Sequence, residues 1–375
     1  MSKDTNTAST AEGSTASGAI NAASVDEIQP ANNERLLSGA SASIIFIICV
    51  GYIGFHLYAL NIQPVETWTY RIIHVSFGLM IGFLLLGATS RFNDDKPQSI
   101  VAKFFGIASI ILSGYALALV VLLWLQPQDG GTAGPLAFIQ SQLGLVSFLA
   151  LAISLFTSYC IKSNRKRLNM PDLSLGFIAL AVAGYLILSL SRWRLMAGTS
   201  MVGDLDFYMS TIGVVLILEL TRRVAGMALV IITGVFILYA FIGPWLPGIF
   251  EHRGYSPARF FTYLYTDNGI LGPTIAVSST YIVLFITFAA FLQKSRVGEY
   301  FVNFAFSVAG RSRGGPAKVA VFASGLMGTA NNGGWRLHHG RSDRYTVYRD
   351  CDRCDYSCRS VLSVYLFHGG FGSST

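Results

Sequence analysis

The chain has 375 residues and a formal net charge of +7, yet only 13% of it is charged while 52% is hydrophobic. Soluble domains carry roughly 25% charged residues, so this chain cannot clothe a water-facing surface of its own size, and it is too apolar to be a disordered polymer. Its 27 Lys and Arg are scattered between apolar blocks, which excludes the continuous basic face that a nucleic-acid partner would need.

The first 35 residues are dominated by Ser, Thr, Ala, Asn and Gly and show no periodicity. Residues 1–39 are therefore expected to form a disordered cytosolic tail. No basic start runs directly into an apolar stretch, so the first span is read as an uncleaved anchor rather than a signal peptide.

A bilayer core of about 30 Å needs roughly 20 mostly apolar helical residues. Ala40–Leu60, Arg71–Thr89, Val101–Leu125, Leu143–Ile161 and Leu173–Ser191 meet that length, as do Val224–Pro244 and Ile270–Leu292. Phe207–Leu220 is shorter and weaker, and it brings the expected count to about eight spans. The fold class predicted is all-α, a polytopic transmembrane helical protein. Buried helices of a large soluble protein are a poor fit, for want of Lys- and Glu-rich linkers.

Short connections set orientation through their Lys and Arg. The run Lys162-Ser-Asn-Arg165-Lys166-Arg167, supported by Lys3, Arg35, Arg91, Lys96, Lys103, Arg222, Arg223, Lys294 and Arg296, outweighs Arg71, Arg192, Arg194, Arg253 and Arg259. The N-terminus is accordingly expected in the cytoplasm, with membrane lipid as the surrounding partner. Asp129-Gly-Gly-Thr-Ala-Gly-Pro135 reads as an outer loop free of basic residues. Met170-Pro171-Asp172 reads as a cytoplasmic break that divides a four-span unit, 40–170, from a second unit, 171–329.

Ionisable residues at membrane depth are functional candidates by default. Glu219 lies one turn from Arg222 and Arg223, which predicts an ion pair at the inner interface. His56 and His74 sit near span ends and are expected as separate interface residues. No HExxH, no Walker lysine and no carboxylate pair at glycosidase spacing occurs, so no catalytic residue, enzyme activity, metal or organic cofactor is expected.

Beyond the eighth span, Gly298–Ala309 is apolar but too short to cross, and it begins and ends beside Arg296 and Arg311. An interfacial helix is expected there. After Lys318, Val319–Gly328 re-enters as a short apolar segment closed by Ser324, Gly325, Gly328 and Thr329. Short, Gly-interrupted segments point to transporter binding sites, because unwound backbone can coordinate ions. A small-residue packing face between helices is the alternative.

Glu219-Leu-Thr-Arg-Arg-Val-Ala-Gly226, Leu238-Tyr-Ala-Phe-Ile-Gly-Pro-Trp-Leu-Pro-Gly248, His252-Arg-Gly-Tyr255 and Ala309-Gly-Arg-Ser-Arg-Gly-Gly-Pro-Ala-Lys-Val-Ala-Val321 resemble the fused permease of TRAP (tripartite ATP-independent periplasmic) transporters, the form serving TAXI-type receptors. The resemblance is specific between Glu219 and Thr329; earlier spans agree in number and spacing. It implies a secondary transporter of small organic acids in the bacterial inner membrane, sodium-coupled and loaded by an extracytoplasmic solute receptor. It also implies that the segment after Lys318 is the first arm of a re-entrant hairpin, with Ser324, Gly325, Gly328 and Thr329 at its substrate and sodium site.

From Ala330 the family pattern breaks. The family continues with a Val-Thr-Thr-Gly stretch and further spans, whereas this chain gives Asn331-Asn-Gly-Gly-Trp-Arg-Leu-His-His-Gly-Arg-Ser-Asp-Arg344. Trp335–Tyr345, back-translated with common codons and shifted one base, reads Gly-Val-x-Thr-Thr-Gly-x-x-Thr-x. Residues 330–375 are therefore expected to be an out-of-frame tail, and the chain to be a truncated permease inactive alone. A zinc site from Cys351, Cys354 and Cys358 with His338 or His339 is the competing reading, weakened by the single CxxC pair. A scaffold or assembly subunit, or a membrane-embedded lipid-modifying enzyme, are the alternatives for the whole chain.

Overall fold

A computed structural model describes residues 33–35, 37, 39–89, 100–125, 133–160, 168–295, 297–310, 318–319 and 321–322. The described residues are almost entirely helical, and the protein is an all-α, multi-pass integral membrane protein. In order run α1 (Ala40–Asn61), α2 (Thr67–Leu85), α3 (Ile100–Leu125), α4 (Ala133–Cys160), α5 (Met170–Leu188), α6 (Leu190–Met196), α7 (Asp204–Ala225), α8 (Met227–Ile242), α9 (Pro257–Leu264), α10 (Pro273–Val277), α11 (Val283–Lys294) and α12 (Val297–Ala309). A π turn, Ser278–Ile282, joins α10 to α11 in one continuous rod.

Among the described residues, seven segments are long and apolar enough to cross a bilayer: α1, α2, the greater part of α3 and of α4, α5, α8 with the turn after it, and the α10–α11 rod. The sixth expected span is α7, a 22-residue helix, about 33 Å long at 1.5 Å per residue. It carries Asp204 and Asp206 in its first turn and Arg222 and Arg223 in its last, so its charges lie at its ends and its middle is apolar. Those charges also complement the helix dipole. The expected interfacial helix is α12, 13 residues long. The expected re-entrant arm lies outside the described residues apart from Lys318, Val319, Val321 and Phe322.

Burial ranks the helices. Two-thirds of the α5 window is buried, against 6% of the α8 window, so α5 is the central post and α8 is the most exposed of the long helices. Val182, Leu175, Ile178, Leu186 and Ala181 of α5 meet Phe83 of α2, Leu119 of α3, Leu143 and Ala150 of α4, and Met209, Ile212 and Leu216 of α7 in one core. A second core sets Ile45, Cys49 and Tyr52 of α1 against Ile81, Leu84 and Leu85 of α2 and Val283 of α11. In lipid such contacts depend on close packing, which small residues permit. At Gly213 of α7 an added Cβ would come within 2.6–2.7 Å of the Tyr265 ring.

Helix ends follow local chemistry. Glu66 caps α2 by accepting from the Trp68 and Thr69 amides at 3.1 and 2.8 Å. Pro171 sits in the first turn of α5 beside Asp172. Gly226, at φ 85°, ends α7 and lets α8 begin at once.

Candidate functional site: a buried charge network and two polar clusters

The last carbonyls of a helix lack intrahelical donors, and α2 ends in the interior. Arginines meet that need. The Arg35 amide donates to the Leu85 carbonyl at 3.0 Å and its guanidinium to Leu84 at 3.3 Å. Arg223 donates to Leu86 at 2.9 Å and Arg222 to Ala88 at 2.8 Å. Asn33 closes the knot, its amide donating to the carbonyls of Gly87 and Arg223 at 3.1 and 2.9 Å.

Two carboxylates balance the guanidinium groups. Asp172, in the first turn of α5, pairs with Arg35 and with Arg223, the latter at 2.7 Å, and accepts from the Ser158 hydroxyl at 3.3 Å. Glu219 pairs with Arg222 and Arg223, both at 2.8 Å, and accepts from Tyr159 of α4 at 3.3 Å. The side chains of Arg35, Asp172, Arg223 and Glu219 are 0–4% exposed, and Arg222 at 14% forms the rim. The Arg222 guanidinium also lies over the Tyr159 ring, and that of Arg223 over Phe83. Among the described residues the knot holds three guanidinium groups and two carboxylates. It joins α4, α5, α7, the end of α2 and the segment before α1.

The opposite end carries a second cluster. Tyr185 of α5 donates to Asp206 of α7 at 2.5 Å, and Arg192 of α6 pairs with Asp206 at 2.8 Å. Half-burial presses on the Arg192 guanidinium, but the facing Tyr185 and Asp206 outweigh it and hold its pKa above the usual arginine value. Glu66, having capped α2, also pairs with Arg194. Nearby, Arg71 donates to the Leu271 carbonyl at 2.6 Å and Trp193 to that of Tyr265 at 3.2 Å.

A third cluster lies inside the membrane section. His56 of α1 and His74 of α2 face each other, Nε2 to Nδ1, at 2.8 Å. They are 0% and 3% exposed. The Tyr52 hydroxyl stands 2.8 Å from His74 Nδ1, and Ser278 of the π turn stands 3.4 Å from His74 Nε2. An open cavity of about 400 Å³ is lined by Pro244, Gly248, Glu251, His252 and Arg253 in the connection after α8.

The sequence-predicted residues divide three ways. Glu219, Arg222 and Arg223 come together as expected, though Arg223 is shared with Asp172, a residue read from sequence only as part of a chain break. Ser324, Gly325, Gly328 and Thr329 lie outside the described residues, as do the tail cysteines Cys351, Cys354 and Cys358. The expectation of His56 and His74 as separate interface residues is corrected: the five-residue connection between α1 and α2 folds them back to a common depth. Among the described residues, no group of three or more His, Cys, Asp or Glu is placed to hold a metal ion.

Residues 212–331 match the family model of the Tripartite ATP-independent periplasmic transporter, DctM component. The match begins in the middle of α7, takes in Glu219, Arg222 and Arg223, and covers about a third of the 375 residues. That stretch is similar to the DctM family. No curated protein and no solved structure matches the chain.

Proposed function

We propose that this chain, DctM-like from residue 212 to 331, is the membrane permease component of a TRAP transporter, taking up a small organic anion with sodium symport and loaded by an extracytoplasmic receptor. The observation that carries the reading is that a stretch of the transport-component family continues, through Asp172–Arg223 and the shared core, into helices that precede it. In this reading α1–α4 form the supporting four-span unit, 40–170, and the chain from 171 begins the transport unit. The protein sits in the bacterial inner membrane with its N-terminus, and hence the charge network, on the cytoplasmic side.

Substrate and sodium are assigned to the tip of a re-entrant segment at Ser324, Gly325, Gly328 and Thr329. Small residues there leave carbonyls open to a cation, and half-helix N-termini favour an anion. The DctM match speaks for transport rather than chemistry.

The family match stops at residue 331, next to the point where the sequence leaves the TRAP pattern. This supports reading residues 330–375 as out-of-frame. Resequencing the gene across codon 330 tests it. A one-base correction that restores a Val-Thr-Thr-Gly stretch and further apolar spans is the expected result. An unchanged reading, with mass spectrometry recovering tryptic peptides of the Cys351–Cys358 region from the membrane protein, contradicts it.

A further inference from the structure

The His56–His74 pair is buried between two apolar helices. No Asp, Glu, Lys or Arg occurs within α1 or from Pro273 to Leu292, and the one charged residue of α2, Arg71, directs its guanidinium to the Leu271 carbonyl. Among the described residues, the groups facing the pair include Tyr52, with Cys49 one turn before it, from α1; Tyr70 from α2; and Ser278 from the π turn. Tyr70 is itself engaged, donating to the Ser279 carbonyl at 2.5 Å.

Counting hydrogens constrains what the pair can hold. His56 Nδ1 lies 2.8 Å from the Tyr52 carbonyl, which only accepts, so Nδ1 carries the hydrogen. A neutral His56 then presents a bare Nε2. The 2.8 Å contact with His74 requires the His74 hydrogen on Nδ1, leaving His74 Nε2 bare toward the Ser278 hydroxyl. In that neutral state the Tyr52 hydroxyl turns its hydrogen toward the His74 carbonyl, 3.4 Å away.

We infer that His56, His74, Tyr52 and Ser278 form an intramembrane proton-binding site that takes up a single proton and in doing so reverses the hydrogen-bond chain into the π turn. A proton leaving hydronium as water bonds to His74 Nε2. The hydrogen already on His74 Nδ1 crosses the 2.8 Å contact to His56 Nε2. His56 becomes the imidazolium, and His74 is neutral again with its hydrogen on the opposite nitrogen. One N–H bond has broken, two have formed, and the net gain is one proton. Ser278 changes from donor to acceptor, the lone pair of His74 Nδ1 accepts from His56 Nε2–H, and the Tyr52 hydroxyl keeps donating to the His74 carbonyl. A second proton is excluded, because two N–H groups would then point at each other across 2.8 Å.

The π turn is where this change has mechanical consequence. π turns inside α-helices recur at functional sites, and Ser278 lies within the DctM-matched stretch while both histidines lie outside it. The site thus links proton uptake in the α1–α2 hairpin to the span that starts at Pro273, whichever solute the protein carries.

Histidine ring ¹⁵N NMR on the full chain in lipid bilayers, from pH 4 to 9, tests the inference, with His56→Gln and His74→Gln assigning the signals. The expected result is one proton per pair: one ring becomes imidazolium while its partner stays neutral and switches tautomer at the same pH. Ser278→Ala is expected to keep that stoichiometry but abolish the acid-induced change in amide exchange at residues 278–282. Rings that stay neutral with fixed tautomers throughout, or two rings that charge independently to two protons, overturn the site. An acid-induced exchange change unaffected by Ser278→Ala overturns the link to the π turn.

Discussion

Asp172 and Arg223 are 51 residues apart in sequence and 2.7 Å apart in space. Each is fully enclosed, and each has a second partner, Arg35 for the one and Glu219 for the other. This pair ties the first turn of α5 to the last turn of α7, and so ties the DctM-like stretch to the helices before it.

Replacing Asp172 with Asn leaves two buried guanidinium groups facing a neutral amide. Removing one partner of a buried pair costs about 3–5 kcal/mol. A corresponding fall in thermal stability of the purified protein in detergent is expected. Combining Asp172→Asn with Arg35→Met should cost less than the sum of the two single changes, since the second removes a charge the first has stranded. Strict additivity would show that Arg35 and Asp172 do not act together.

Span positions were legible in the sequence because membrane length needs only a run of apolar residues, and α1, α3, α5 and α8 supply it plainly. The Glu219–Arg222–Arg223 cluster was legible because its spacing is one helical turn. The Asp172–Arg223 and Arg35–Asp172 pairs were not, since nothing local states which helix ends meet. The His56–His74 pairing was legible in part. His56 lies five residues before the end of α1 and His74 seven after the start of α2, so a short connection alone places them at similar depth. Taken one at a time, each looks like a span-end residue; only the hairpin makes them a pair.

Packing at α7 gives a second test. A methyl group at Gly213 meets the Tyr265 ring inside van der Waals distance, and overpacking of this kind costs about 1–3 kcal/mol. Gly213→Ala should lower the melting temperature, and Tyr265→Ala added to it should lower it by less than the two separate losses combined. If Gly213→Ala melts unchanged, α7 and the Tyr265 loop are less closely packed than described.

Orientation can be read with reporter fusions. A reporter after Arg167 should report cytoplasm and one after Gly131 periplasm, following the basic run Lys162–Arg167 and the base-free loop at 129–134. The reverse pair would place the charge network on the outer side and remove the N-in arrangement.

Transport itself is the most direct measurement of the account. The frame-restored gene product, reconstituted in proteoliposomes with a TAXI-type receptor from the same organism, should accumulate a radiolabelled small organic acid only when an inward sodium gradient and the receptor are both present. The 375-residue chain under the same conditions should show none. Uptake that needs neither receptor nor sodium, or equal uptake by the chain ending at Thr375, would contradict the assignment of this protein as a sodium-coupled TRAP permease with its ion site beyond Lys318.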